Sequence, residues 1–156
     1  CAEPNPRWPV TPDRMVNGRL GGSNADLCTM NTVVTQGVRV TAQSLYEAAH
    51  SDPKAGRYLF SYWITIANHG LGSVQLKRRR WNIWDSLAAM HEVEGPGVVG
   101  ETPTLAPGED YSYQSACMLC SGLGRMRGSY IMCRPDGSEF EVRIPEMVLE
   151  VPFLAN

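Results

Sequence analysis

The sequence lacks several features that would place it in a common functional class. Its 156 residues contain no apolar run near the roughly 20 residues that a membrane-spanning helix needs. Charged residues make up 19% of the chain and the formal net charge is −2, so charge does not indicate a nucleic-acid or anionic-membrane partner. The five cysteines are an odd number, which fits poorly with a fully paired disulfide framework and favours a reducing compartment.

A recognisable catalytic set is also missing. Ser, Cys and His residues do not occur at a spacing typical of a nucleophile and its base. Glu92, Glu94 and Glu101 lie close in sequence, but an acid–base pair among them needs a geometry that spacing does not give. We therefore predict a protein that is not an enzyme and that needs no cofactor.

Cys117 and Cys120 form a C-x-x-C pair, with Cys133 further along. Positions three apart on a strand point to opposite faces, so both thiols could bind one metal only if a turn intervened. A tetrahedral zinc site also needs four ligands, and a second C-x-x-C is absent. The alternatives are structural zinc, a regulatory disulfide and, as the favoured reading, small buried thiols.

Alternating apolar residues indicate β-strands from Val38 onward. The clearest case is residues 57–67, where one face carries Tyr58, Phe60, Tyr62, Ile64 and Ile66. We expect this set to be core and Trp63, on the other face, to be covered by a neighbouring segment or partner. Seven or eight such strands with regular turns predict an all-β fold, an immunoglobulin or fibronectin type III-like antiparallel β-sandwich.

Residues 1–35 differ from the rest of the chain. Prolines recur at positions 4, 6, 9 and 12, glycines follow, and neither a helical nor a strand period is present. We predict an extended N-terminal arm over 1–35 that contacts a partner, with Arg7 and Trp8 as candidate contacts, followed by a sandwich domain over 36–156.

Gly95, Gly97 and Gly100 match the G-x-G-x-x-G dinucleotide motif in letters. That motif requires a helix after it, and Pro103 and Pro107 oppose one. The stretch therefore predicts a glycine-rich loop between strands. Binding of a pyrophosphate, nucleotide or small anion through these glycines is the alternative.

One basic cluster stands out, Lys77-Arg78-Arg79-Arg80. It could be a solvated strand end, an RNA or protein contact, or a small-anion site. Trp81 and Trp84 follow three positions apart and must face opposite sides of their strand. We expect one to be core and the other to be a possible interface anchor. Arg78, Arg79, Arg80, Trp63 and Trp84 are thus candidate partner contacts.

Residues 38 to about 152 resemble the ApaG domain (DUF525) family. The resemblance is carried by ordered motifs along about three quarters of the chain. They are Gly56-Arg57-Tyr58-Leu59-Phe60, Ile66-Ala67-Asn68-His69-Gly70, Arg79-Arg80-Trp81-Asn82-Ile83-Trp84-Asp85, Val93-Glu94-Gly95-Pro96-Gly97-Val98-Val99-Gly100-Glu101-Thr102-Pro103, Gly128-Ser129-Tyr130-Ile131-Met132 and Phe140-Glu141-Val142-Arg143-Ile144-Pro145. The chain departs from the family pattern at 85–90, where we expect the tight hairpin turn to be lost, at 120–123, and in the arm.

The resemblance implies a fibronectin type III-like sandwich that serves as a protein-interaction module, with the glycine loop suggested as a pyrophosphate site. The chain begins at Cys1 rather than Met, so we expect that it is processed or trimmed. Together with the arm and the lack of catalytic residues, this predicts a subunit or assembly factor of a larger complex. The expected location is organellar, in a mitochondrion or chloroplast, or cytoplasmic if the source is bacterial. The expected partners are other protein subunits, with a possible RNA contact through Lys77–Arg80.

Overall fold

The computed structural model describes residues 30–152, which form nine β-strands and two single-turn 3-10 helices. The 3-10 helices are Ala48–His50 and Pro53–Ala55. The strands are β1 (Asn31–Thr35), β2 (Val38–Tyr46), β3 (Tyr58–Asn68), β4 (Val74–Asp85), β5 (Ala88–Pro96), β6 (Thr104–Leu105), β7 (Asp110–Leu119), β8 (Leu123–Cys133) and β9 (Glu139–Glu150). The part of the chain described holds no helix long and apolar enough to cross a membrane.

The strands form two antiparallel sheets that pack face to face. The four-stranded sheet has the order β1-β2-β3-β7. The five-stranded sheet has the order β5-β4-β8-β9, and β6 pairs with one end of β4. The predicted all-β antiparallel sandwich is confirmed.

Alternation along each strand places an apolar set between the sheets. On β3 the predicted register is confirmed, because Phe60, Ile64 and Ile66 are at most 1% exposed. Tyr62 is also buried, and Tyr58 packs at the margin of the core. Trp63 lies half-buried on the outer face, as expected.

The sandwich begins earlier than the sequence suggested. Asn31–Thr35 forms β1, which pairs along its length with β2 through a turn at Gln36 and Gly37. The Asn31 side-chain amide also donates to the Glu146 carbonyl oxygen of β9 at 3.1 Å, joining the two sheets at one margin. Residues 31–35, which were predicted to be the end of the arm, are therefore part of the sandwich. The sequence did not indicate this strand because the short Asn-Thr-Val-Val-Thr run has too few positions to show a period. The remainder of the proposed arm lies outside the described residues.

The turn after β4 is tight, which corrects the expectation that residues 85–90 lose it. Asp85 pairs with Ala88, leaving a two-residue connection. The Asp85 carboxylate accepts a hydrogen bond from the Leu87 N–H at 3.0 Å. This side-chain contact stabilises the tight turn without a glycine.

Candidate functional site

The glycine loop is a small hairpin that extends β5. Val98 and Glu101 exchange two backbone hydrogen bonds, at 2.8 and 2.9 Å. The two residues between them, Val99 and Gly100, have φ angles of +49° and +80°. Two successive residues at positive φ are the signature of a type I′ turn. The loop leads into β6 rather than into a helix, so it lacks the helix N-terminus that holds a pyrophosphate in dinucleotide folds.

Gly97 is the residue that makes this hairpin possible. Its φ is +59°, and a Cβ there would lie 2.1 Å from the Glu101 carbonyl oxygen. Its N–H donates to the Lys77 carbonyl oxygen at 2.9 Å, which fastens the loop to β4. A side chain at position 97 would therefore meet both a steric and a conformational penalty.

Arg79 holds the loop from the other side. Its Nη1 donates to the carbonyl oxygens of Pro96 at 3.1 Å and of Gly97 at 3.0 Å. Gly95 leaves room for this guanidinium, since a Cβ there would lie 3.1 Å from the same nitrogen. Arg79 is thus occupied with carbonyl groups of the loop, which lowers its availability to an external anion.

The other arginines of the basic cluster are paired with carboxylates. On the outer face of the five-stranded sheet, Arg78 forms an ion pair with Glu139 at 3.0 Å, and Arg80 forms one with Glu94. Arg79 instead lies opposite the buried Tyr130 on β8. The cluster is therefore divided between two sides of the sheet, an arrangement that favours the solvated strand end over a basic RNA surface.

Trp81 and Trp84 lie on opposite faces of β4, as expected from their spacing. Trp81 is 2% exposed and packs edge-on against Tyr62, with ring centroids 5.7 Å apart. Trp84 is 39% exposed on the outer face. Trp81 is core, and Trp84 is partly exposed to solvent.

A groove of about 370 Å³ lies beside Trp84 on the outer face of the five-stranded sheet. The Arg125 guanidinium lies over the Trp84 ring, 5.8 Å from its centroid. Arg125 and Arg127 share one carboxylate, that of Glu146. The residues that line the groove come from β4, β5 and β8, and they are Asn82, Trp84, Met90, Arg125 and Arg127.

Asp85 organises the loops at this end of the sandwich. Its buried carboxylate accepts hydrogen bonds from the Ser121 hydroxyl at 2.7 Å and from the Cys120 N–H at 2.6 Å. Burial raises the pKa of this carboxyl, but the hydrogen bonds from Ser121, Leu87 and Cys120 outweigh it and bring the pKa below its usual value. The segments 85–90 and 120–123, which depart from the family pattern, therefore lie against each other.

The outer face of the four-stranded sheet has few charges. Strand register places Arg39 and Asp110 in one row across it, on either side of Ala67. At the opposite end Glu47 accepts a hydrogen bond from Ser61. The rows between carry only uncharged side chains. They are Thr32-Thr41-Thr65-Ser112, Gln43-Trp63-Gln114 and Leu45-Ser61-Ala116.

The described cysteines are present as thiols. Burial raises the pKa of Cys117 to about 12, so this thiol stays protonated at neutral pH. Cys117 is on the buried face of β7, whereas Cys120 lies in the turn that follows the strand. Within residues 30–152 there is no group of three or more His, Cys, Asp or Glu residues placed to hold a metal ion.

The structure divides the candidate partner contacts among separate surfaces. Trp63 and Trp84 are on opposite outer faces of the sandwich. Arg7 and Trp8 lie outside the described residues. Sequence reasoning missed Met90, Arg125 and Arg127 as neighbours of Trp84. The alternation of Arg125 and Arg127 placed both on one face of their strand, but only the register of β8 against β4 brings them to Trp84.

Comparison with known proteins assigns the family. The ApaG domain model (DUF525) matches residues 48–134. Protein ApaG of Brucella canis is 43% identical over 123 residues, which are 79% of this chain and 95% of that protein. Protein ApaG of Anaeromyxobacter dehalogenans is 46% identical over 127 residues, 81% of this chain and all of that protein.

Solved structures agree with this assignment. A Bordetella pertussis protein solved under the name ApaA superposes with a TM-score of 0.71 at 40% identity. The match covers 74% of this chain and 94% of that one. The conserved architecture and the sequence identity lead to one conclusion: the chain belongs to the ApaG domain (DUF525) family.

Proposed function

We propose that this protein is a non-enzymatic interaction module, a subunit or assembly factor that docks onto other proteins through its four-stranded sheet and its N-terminal arm. The observation that carries the proposal is the outer face centred on Trp63. Trp63 is flanked by the neutral side chains of Gln43 and Gln114, and charged residues are confined to the two ends of the face.

The chemistry of this face suits a flat, uncharged protein surface. A half-buried tryptophan among short polar side chains offers a large apolar contact with little charge to desolvate. The hydroxyls of Thr65 and Ser112 already hydrogen-bond each other at 2.8 Å, as do those of Thr32 and Thr41 at 3.2 Å. Each of these hydroxyl oxygens therefore keeps one hydrogen-bond partner when the face is covered.

The arm precedes the strand at the margin of the same sheet. Strand β1 forms that margin, and Met30, the first described residue, is 64% exposed. The chain before Met30 is therefore connected at this margin, and in the proposal it contacts the same partner. Arg7 and Trp8 remain candidate contacts of this segment.

Co-purification from the native cell tests the proposal. The tagged full chain is compared with a variant lacking residues 1–29 and with Trp63→Ser, and associated proteins are quantified by mass spectrometry. Each change should reduce recovery of the same partner set at least tenfold. Trp84→Ser, a tryptophan change on the opposite face, is the matched control and should leave this set in place. Full recovery with Trp63→Ser and the truncated chain would overturn the proposal.

Pyrophosphate or nucleotide binding at Gly95, Gly97 and Gly100 is the alternative, and the loop geometry gives it less support. The N–H groups of Gly97, Val98 and Glu101 donate to backbone carbonyls, and Arg79 donates to the loop. Calorimetry with pyrophosphate, ATP and NAD should give no binding heat. A Kd below about 100 µM, worth more than roughly 5 kcal/mol, would favour the alternative.

The organellar location is part of the same proposal and has its own test. Fluorescence microscopy of the product of the native gene, tagged at its C-terminus, should give a mitochondrial or chloroplast signal in a eukaryotic source, and a diffuse cytosolic signal would contradict this location.

A further inference from the structure

We infer that the groove beside Trp84 is a second binding site, which takes a peptide segment of a partner protein carrying a carboxylate next to an apolar side chain. The site is on the opposite face of the sandwich from Trp63. Its test is therefore independent of the proposed docking of the four-stranded face.

The two ends of the groove have different chemistry. Trp84 and Met90 supply an apolar wall and are 39% and 65% exposed, respectively. Arg125 and Arg127 supply cations on the neighbouring strand β8, and none of the residues that line the groove is acidic. A ligand that fills the groove must therefore be apolar on one side and anionic on the other.

The charge around the arginines leaves capacity for another carboxylate. Glu146 is shared between Arg125, at 3.9 Å, and Arg127. Each guanidinium has five N–H donors, and the side chains of Arg125 and Arg127 are 51% and 67% exposed.

Two other carboxylates lie near these arginines on this face. Glu150 is on β9, two positions beyond Val148, the partner of Arg125, and so roughly 7–8 Å away on the diagonal. Glu92 lies across Asn82, two strands from Arg127 and roughly 10 Å away. Among the described residues, the ion pairs of Arg125 and Arg127 are with Glu146.

The contact of Arg125 with Trp84 joins the two halves of the site. The guanidinium carbon lies 5.8 Å from the centroid of the indole ring, within cation–π range, so a ligand on the ring is also close to a cation. The groove volume of about 370 Å³ has room for one or two side chains rather than for a folded surface. Both features fit a short peptide segment.

The hairpin that bears Trp84 is held in place by groups that need no ligand. Asp85 links it to Cys120 and Ser121, and the Ser86 hydroxyl donates to that of Ser121 at 2.7 Å. The groove is thus formed before a peptide arrives, which lowers the entropic cost of binding.

A displayed library of random octapeptides tests the inference, with the full chain as bait. Selected peptides should carry Asp or Glu within two positions of Leu, Ile, Phe or Trp. Affinities of the best peptides are then measured for the full chain and for Trp84→Ser, Arg127→Gln and Trp63→Ser by fluorescence anisotropy. Trp84→Ser and Arg127→Gln should each weaken binding about tenfold, the loss of one good contact.

Trp63→Ser should bind the selected peptides as tightly as the parent chain, and replacing their acidic residue with Lys should abolish binding. Circular dichroism checks that each variant is folded. Failure to enrich any peptide, enrichment of basic peptides, or equal binding by Trp84→Ser and Arg127→Gln would overturn the inference.

Discussion

The two outer faces of the sandwich differ in the number and position of their charged side chains. The four-stranded face has uncharged rows around Trp63 and charged residues only at its ends. The five-stranded face carries the ion pairs of Arg78 with Glu139 and Arg80 with Glu94. Its exposed apolar side chains include Trp84 and Met90 in the groove and Leu123 and Val148 beside it. The same core thus supports two chemically different surfaces.

This difference in charge predicts how binding at each face should respond to salt. Contacts of an uncharged face depend on apolar burial and hydrogen bonds, which moderate salt hardly changes, whereas a carboxylate held by arginines is screened. Raising NaCl from 0.1 to 0.5 M should therefore preserve the complex made through Trp63 and weaken peptide binding at Trp84.

The largest expected effect separates the inner and outer sets of β3. Phe60→Ala should lower the free energy of unfolding by about 3–5 kcal/mol, because it leaves a cavity in the core. Trp63→Ser should cost much less, about 1 kcal/mol, since the half-buried ring contributes mainly to the outer face. Urea denaturation of both variants checks the difference. Equal losses would show that Trp63 is part of the folding core and would remove it from the docking face.

The next effect concerns the loop that closes one end of the five-stranded sheet. Gly97→Ala should destabilise the protein by about 2–3 kcal/mol, because the new Cβ adds a clash to the penalty of left-handed backbone. Gly100→Ala is the matched control. Its φ is also positive, +80°, but its Cβ would meet open space, so a loss near 1 kcal/mol is expected. Thermal denaturation measures both variants. Equal Tm values would contradict a clash between the new Cβ at position 97 and the Glu101 carbonyl oxygen.

Replacement of Asp85 tests whether its carboxylate stabilises the hairpin that carries Trp84. Asp85→Asn should lower stability at pH 7 by about 1–3 kcal/mol, because buried donors lose their carboxylate acceptor. The folded state holds the pKa of Asp85 below its ordinary value. The stability that the Asp85 carboxylate contributes is therefore complete above its pKa in the unfolded chain, which is near 4. This stability is lost as the pH falls through the lower pKa of the folded state.

Urea denaturation from pH 7 to pH 2.5 measures this dependence. The difference between parent and Asp85→Asn should shrink as the pH falls. A difference that stays constant over this range would show that the charge of Asp85 contributes nothing to the hairpin.

The smallest expected effect comes from the ion pairs on the five-stranded face. Arg80→Gln should leave the free energy of unfolding almost unchanged, because Arg80 and Glu94 are exposed and their attraction is screened by solvent. Arg79→Gln should cost more, since the guanidinium of Arg79 holds the carbonyls of Pro96 and Gly97. Denaturation of the two variants at low salt compares them, and a larger loss for Arg80→Gln would contradict the assigned roles.

The sequence predicts local features of this fold better than it predicts the groupings that form the sites. Strict alternation on β3 was enough to place Phe60 inside and Trp63 outside, and the three-residue spacing of Trp81 and Trp84 placed one inside and one outside β4. These features depend on residues that are neighbours in the chain.

The sites instead depend on register between distant strands. Trp84 meets Arg125 only because β4 pairs with β8, some forty residues further along the chain. The spacing of Arg79 from Gly97 likewise did not indicate that its guanidinium would bind the loop. Strand β1 was missed because its sequence is short and its partners, β2 and β9, define it.

Site-specific photo-cross-linking in the native cell tests the central claim most directly. Benzoylphenylalanine is introduced in place of Trp63, and in place of Leu71 as a fully exposed control that lies off both faces. The account predicts protein adducts at position 63, the same partners found by co-purification, and none of these at position 71. Absence of adducts at position 63, or the same adducts at both positions, would contradict docking through the four-stranded face.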